Sequence, residues 1–127
     1  MARIRIAWSS GEVIADLLET PSTKQLLSAL PVASHAQTWG EEVYFQLPVR
    51  AALEPDARQV VGPGTVCFWV DGGSLALPYG RTPVSQGDEC RLVTPCNVLG
   101  KITGDPQELR KVKAGESIRV ELVTGNS

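Results

Sequence analysis

Apolar residues in this chain recur at every second position far more often than at every third or fourth, and that spacing most limits what it can fold into. Ile4, Ile6 and Trp8 alternate with Arg3, Arg5 and Ala7, and Val13, Ala15 and Leu17 with Glu12, Ile14 and Asp16. Val43, Phe45 and Leu47 alternate with Glu42, Tyr44 and Gln46, and Ile118, Val120 and Leu122 with Arg119 and Glu121. Successive side chains of a strand point to opposite faces, so each stretch reads as a half-buried strand. Residues 32–38, 65–70, 74–79 and 97–103 read as further strands. Ser9-Ser10-Gly11, Trp39-Gly40, Gly62-Pro63-Gly64, Asp71-Gly72-Gly73 and Gly115 supply the turns between them. Residues 48–58 read as loop and residues 80–96 as an irregular stretch.

One helix stands out. Thr20 can cap the free N–H groups, Pro21 fits the first helical position, Leu26, Leu27 and Leu30 share a face, and Pro31 stops it. Asp105-Pro106 opens a second, short helix through Leu109. About eight short strands with two short helices predict an all-β fold, a closed antiparallel barrel, because closure removes exposed edges. The 127 residues make one domain, 1–127, and 43% apolar residues supply its core. The 12 glycines and 9 prolines are spread as punctuation, and no linker or repeat is visible.

Several functional classes drop out. A net charge of -2 argues against nucleic-acid binding, and the cluster Arg110, Lys111 and Lys113 lacks interleaved aromatics. No apolar run is long enough for a membrane helix, and the segment from Met1 to Trp8 does not resemble a secretory leader, so the expected setting is the cytoplasm. Three cysteines, Cys67, Cys90 and Cys96, with no paired spacing fit a reducing compartment, and with His35 as the one histidine no metal site is expected. The glycine turns match no phosphate loop, and no cofactor motif occurs.

Three stretches carry a resemblance: Thr38 to Phe45 (TWGEEVYF), Phe68-Trp69-Val70 through Ala76 to Pro83 (ALPYGRTP), and Pro95 to Ile102 (PCNVLGKI). Together they resemble a group of small prokaryotic proteins with a cyclophilin-like fold and no established activity. The likeness spans nearly the whole chain and implies a closed eight-stranded antiparallel cyclophilin-like barrel with a helix at one end. Cyclophilins proper are prolyl isomerases, but this chain has no Phe-His-Arg run and no Phe-Met-x-Gln-Gly-Gly stretch, so no isomerase residue is carried over.

The candidate site residues are Trp39, Glu41, Tyr44, Tyr79 and Arg81, expected at one mouth of the barrel. With Val43 and Phe45 facing inward, Glu41 falls on the inner side at the end of its strand, while Glu42 and Tyr44 face the other way. A carboxylate there has a raised pKa unless a cation, Arg81 or Lys101, meets it. Glu41 thus orients a ligand or closes the barrel end in an ion pair. Arg81, freed by Gly80 to reach back over the mouth, either forks onto an anion or ties a loop. Asn97 reads as a turn residue bonded to its own backbone. His35 lacks an orienting partner and reads as a surface or hydrogen-bonded residue, Cys67 as a core filler, and Trp69 as a contact for a ligand or partner or as packing under a loop.

Three functions remain open. The preferred one is a binding module for a small molecule or peptide, without cofactor or metal, present as a monomer or homodimer. The alternatives are an enzyme (a prolyl isomerase, or an activity related to amide hydrolases) and an interaction subunit with exposed aromatics.

Overall fold

The computed structural model describes residues 2–124. Within them the strands are β1 (Ala2–Trp8), β2 (Gly11–Leu17), β3 (Val32–His35), β4 (Gln37–Thr38), β5 (Glu42–Gln46), β6 (Arg58–Val61), β7 (Thr65–Trp69), β8 (Ser74–Pro78), β9 (Cys90–Ile102) and β10 (Ser117–Leu122). A helix α1 (Pro21–Ala29) follows β2, and a 3-10 helix, Pro106–Lys111, precedes β10. Met1 and residues 125–127 lie outside the described residues.

The sheet runs β3-β10-β1-β2-β9-β7-β8-β5-β4, antiparallel throughout. Its two end strands, β3 and β4, are consecutive pieces of one stretch separated by Ala36, so the path returns to its start and the barrel is nearly closed. Taken as one interrupted strand, they leave the eight staves that the alternation predicts. Ala36 is the point where the chain changes neighbours. Its N–H donates to the Glu116 carbonyl at 2.8 Å and its carbonyl accepts from Gly115 N–H at 2.7 Å. Before it the strand pairs with β10, and after it with β5.

The inward residues are those the two-residue period selects. Ile4, Ile6 and Trp8 sit opposite Val13 and Ala15 on one side and Val120 and Ile118 on the other, all buried. Outward charges pair across strands, as Arg3 does with Asp16 at 2.7 Å. The helix forms as its ends dictate: Thr20 Oγ1 accepts from Thr23 N–H at 3.0 Å, Pro21 opens the first turn, and Leu26 enters the core with Leu27 and Leu30 packed beside it. Thr20→Ala removes that cap and is expected to cost about 1 kcal/mol in urea unfolding. Asp105 caps the 3-10 helix in the same way, accepting from Gln107 N–H at 2.9 Å.

The structure corrects the reading of residues 80–96. Residues 90–96 are not irregular but the first half of β9, and they pair with β6 inside the stretch between the predicted loop and the Gly62 turn. Pro95 hid this half-strand. It lies within a register irregularity between Arg58 and Val60, where a missing N–H is tolerated. This second ribbon covers the outer face of the barrel and builds a second apolar layer from Val61, Cys67, Ala76, Cys90, Leu92 and Cys96, with Tyr44, Trp69 and Val98 packed against it. No helix of the described residues is long and apolar enough to cross a membrane.

Candidate functional site

β5 divides two neighbouring glutamates between two environments. Glu41, just before the strand, lies at the barrel's end, and Glu42, its first residue, points to the outer face. The predicted site residues divide in the same way.

On the Glu41 side the structure brings Glu41, Tyr79 and Arg81 together. The cation that meets Glu41 is neither the Arg81 guanidinium nor Lys101, which pairs across the sheet with the positions of Asp16 and Thr65. It is Arg110 of the 3-10 helix, whose Nη2 donates to Glu41 Oε2 at 2.6 Å. Arg81 contributes its backbone N–H, which donates to Glu41 Oε1 at 3.0 Å, and its side chain is exposed. The Arg110 guanidinium, with the Arg81 N–H, holds the Glu41 carboxyl below its usual range. Arg110 also lies over the Tyr79 ring at 5.4 Å, and Gln107 Nε2 donates to the Tyr79 carbonyl at 2.9 Å. Burial pushes the Tyr79 hydroxyl up. Gly80 is needed for room rather than for turning Arg81: a Cβ there would collide with the Glu41 carboxylate. No buried side-chain nitrogen or oxygen of this cluster lacks a partner, which suits a clasp joining the ends of β5 and β8 to the 3-10 helix.

On the Glu42 side lies a pocket of about 180 Å³. Trp39, Tyr44, Trp69 and Glu42 form one side of its lining, and Ala76, Leu92, Val93 and Cys96 complete it. Tyr44 and Trp69 meet edge to face, ring centres 6.2 Å apart and planes at 84°, so they form a corner. Gly72 permits this position of Trp69, since a Cβ on it would fall within the indole. The far wall is fixed by the loop that precedes β9. Thr82 N–H donates to Ser85 Oγ at 2.9 Å, Arg91 N–H donates to the same oxygen at 3.2 Å, and Thr82 Oγ1 donates to the Arg91 carbonyl. The pocket is therefore formed in advance of any ligand.

Glu42 is the unusual group in it. The residue is 6% exposed, and its Oε1 is buried with no hydrogen-bond partner. Burial alone lifts its pKa to about 7. Trp69 Nε1 is likewise buried without a partner. A buried carboxylate with an open lone pair is costly unless something meets it.

Trp39 and Tyr44 thus line the pocket, and Glu41, Tyr79 and Arg81 stand in the adjoining clasp. Glu42 and Trp69 complete the pocket. The signal for them was in the sequence: Val66-Cys67-Phe68 and Leu75-Ala76-Leu77 are apolar on both faces, the mark of strands covered on both sides. His35 is exposed on β3. Asn97 is not a turn residue. It sits within β9, fully buried, and ties that strand to two distant segments, the start of α1 and the loop before β6. Cys67, Cys90 and Cys96 are all buried, and burial raises each thiol, Cys96 to about 12, which removes them as nucleophiles near neutral pH. Among the described residues no three His, Cys, Asp or Glu side chains gather as a metal-ligand set.

Residues 2–121 match the model of a protein family described as cyclophilin-like. A similar solved structure is the solution structure of the hypothetical protein AF2241 from Archaeoglobus fulgidus, at 33% sequence identity and a TM-score of 0.83. The likeness covers 96% of this chain and 95% of that one. No curated protein matches the sequence.

Proposed function

The chain belongs to the cyclophilin-like family, and from that premise we propose that it is a binding module taking a small molecule into the pocket beside Glu42. The observation that carries this reading is the buried, unpartnered Glu42 Oε1 in a preformed aromatic recess. A structural carboxylate is normally satisfied by its own protein, as Glu41 is by Arg110 and Arg81. Glu42 lines the cavity while one of its oxygens is left unsatisfied by the protein, the arrangement expected of a group kept for a ligand. At about 180 Å³ the pocket takes a single ring or a short branched group, such as one side chain of a peptide or a fragment-sized molecule. Trp39 and Tyr44 are ligand contacts in this reading, and Glu41, Tyr79 and Arg81 hold the rim from the clasp.

A thermal-shift screen of small amines, amides, carboxylates and proline-containing peptides tests it. A ligand at about a hundred times its dissociation constant adds about 2.7 kcal/mol of stability, which moves the midpoint by several degrees. The expected hit is lost in Trp69→Ala and kept in Arg81→Ala. A hit lost in Arg81→Ala and kept in Trp69→Ala would move the site to the clasp. A panel with no stabilising compound would overturn the binding reading.

A further inference from the structure

We propose that the ligand of this pocket is a small organic cation, an alkylammonium head group held by the Glu42 carboxylate against the rings of Trp39, Tyr44 and Trp69. The inference rests on the pocket being a binding site and adds the charge and class of what it binds. Four observations point the same way.

First, the pocket has an anionic anchor and no cationic one. None of its lining residues is Lys, Arg or His, so an anion would meet an unpaired carboxylate and no counter-charge. Second, no nearby arginine supplies a cation to the pocket. Arg58 of β6 does not line it. Arg91 is already held by Glu89 at 2.5 Å.

Third, the remaining polar matter is ring surface. Tyr44 and Trp69 meet at 84°, so a group in the corner faces two differently oriented aromatic side chains, with Trp39 as a third. The faces of such rings carry negative potential and attract an ammonium group more strongly when water is excluded. Fourth, the size fits. A cavity of about 150 Å³ holds a benzene molecule, so about 180 Å³ accepts a trimethylammonium or a short alkylammonium group.

A protonated Glu42 could instead donate to a neutral amide, so the experiment compares charged and uncharged molecules of one shape. Choline and its neutral isostere 3,3-dimethyl-1-butanol are titrated at about pH 8, above the Glu42 pKa of about 7. The readout is the indole N–H resonances of Trp39 and Trp69, with butylammonium and butanol as a second pair. The expected result is that each cation binds about tenfold or more tightly than its isostere. Glu42→Gln, which keeps the shape, should reduce that preference to what the rings alone supply and leave the isostere's affinity unchanged. Equal binding of cation and isostere to the wild-type protein, or tighter binding of the isostere, overturns the cation assignment while the pocket stands. Binding of butyrate in preference to butylammonium does the same. Silence at both indoles with all probes overturns the pocket reading itself, so the two failures are distinct.

Discussion

Asn97→Ala is expected to lower the unfolding free energy by about 3 kcal/mol. Asn97 is fully buried in β9, and all of its amide is in use. Its Oδ1 accepts from Glu54 N–H at 2.8 Å, and its Nδ2 donates to Ser22 Oγ at 2.8 Å and to the Ala52 carbonyl at 2.9 Å. One side chain thereby joins the first turn of α1, the long loop before β6 and the middle of the barrel's longest strand. Truncation removes the partner of two backbone groups of that loop, the N–H of half-buried Glu54 and the carbonyl of exposed Ala52, so each costs less than a fully buried group would. Ser22 is less exposed to the loss, because its hydroxyl and N–H also donate to Glu54 Oε2. Asn97→Asp keeps the acceptor for Glu54 N–H but sets a carboxylate oxygen against the Ala52 carbonyl, so it too should be strongly destabilising. Urea unfolding followed by tryptophan fluorescence measures both. A loss below about 1 kcal/mol would mean that water enters and bonds the freed groups.

The barrel was legible because its inner face obeys one local rule. In β1, β2 and β5 the alternating residues named from the sequence are those that fill the core, as are Ile118 and Val120 of β10, whereas Leu122 at the end of β10 is exposed; the Thr20 and Asp105 caps stand where Pro21 and Pro106 imply. The same rule separated Glu41 from Glu42 and Tyr44. It could not say which side of β5 is dry. Alternation points to the inner side at the strand's end as the desolvated one, yet Glu41 is met there by Arg110, 69 positions away, and Glu42 on the outer side carries the burial. Periodicity reports that a strand has two faces, and what covers the second face depends on segments far along the chain. The cover here is β6 with the first half of β9, four residues and a proline-interrupted run, neither with a clean period of two. The role of Asn97 escapes local sequence for the same reason. A turn residue bonds its own neighbours, whereas this one bonds residues 43, 45 and 75 positions away.

Glu42 also predicts an unusual pH dependence: the protein should lose about 3 kcal/mol of stability as pH rises from about 4.5 to about 8. Burial lifts the folded-state pKa to about 7 from an ordinary value of 4.5. Between those values the folded protein keeps a proton that the unfolded chain has released, so raising the pH favours unfolding. The contribution is fully present below about 4.5 and is lost as the pH passes through about 7. The groups facing Glu42 do not obscure this window. Cys67 on β7 and Cys90 and Cys96 on β9 have raised pKa values and remain thiols throughout it. Glu41, beside it, is held below its usual range, as are Asp16, Glu89 and Glu116, and their contributions disappear only in more acidic solution. A series of thermal melts across this range should therefore fall by about 10 °C for the wild-type protein. Glu42→Gln has no proton to lose there and should give a flat series, more stable than the wild type at about pH 8. A flat wild-type series would show that the Glu42 charge is already met within the protein, which would remove the basis for assigning a cation to the pocket. A bound cation changes the sign of the argument. By favouring the ionised carboxylate it lowers the folded-state pKa, so the decline should shrink when the melts are repeated with saturating choline in the wild type, and not change in Glu42→Gln.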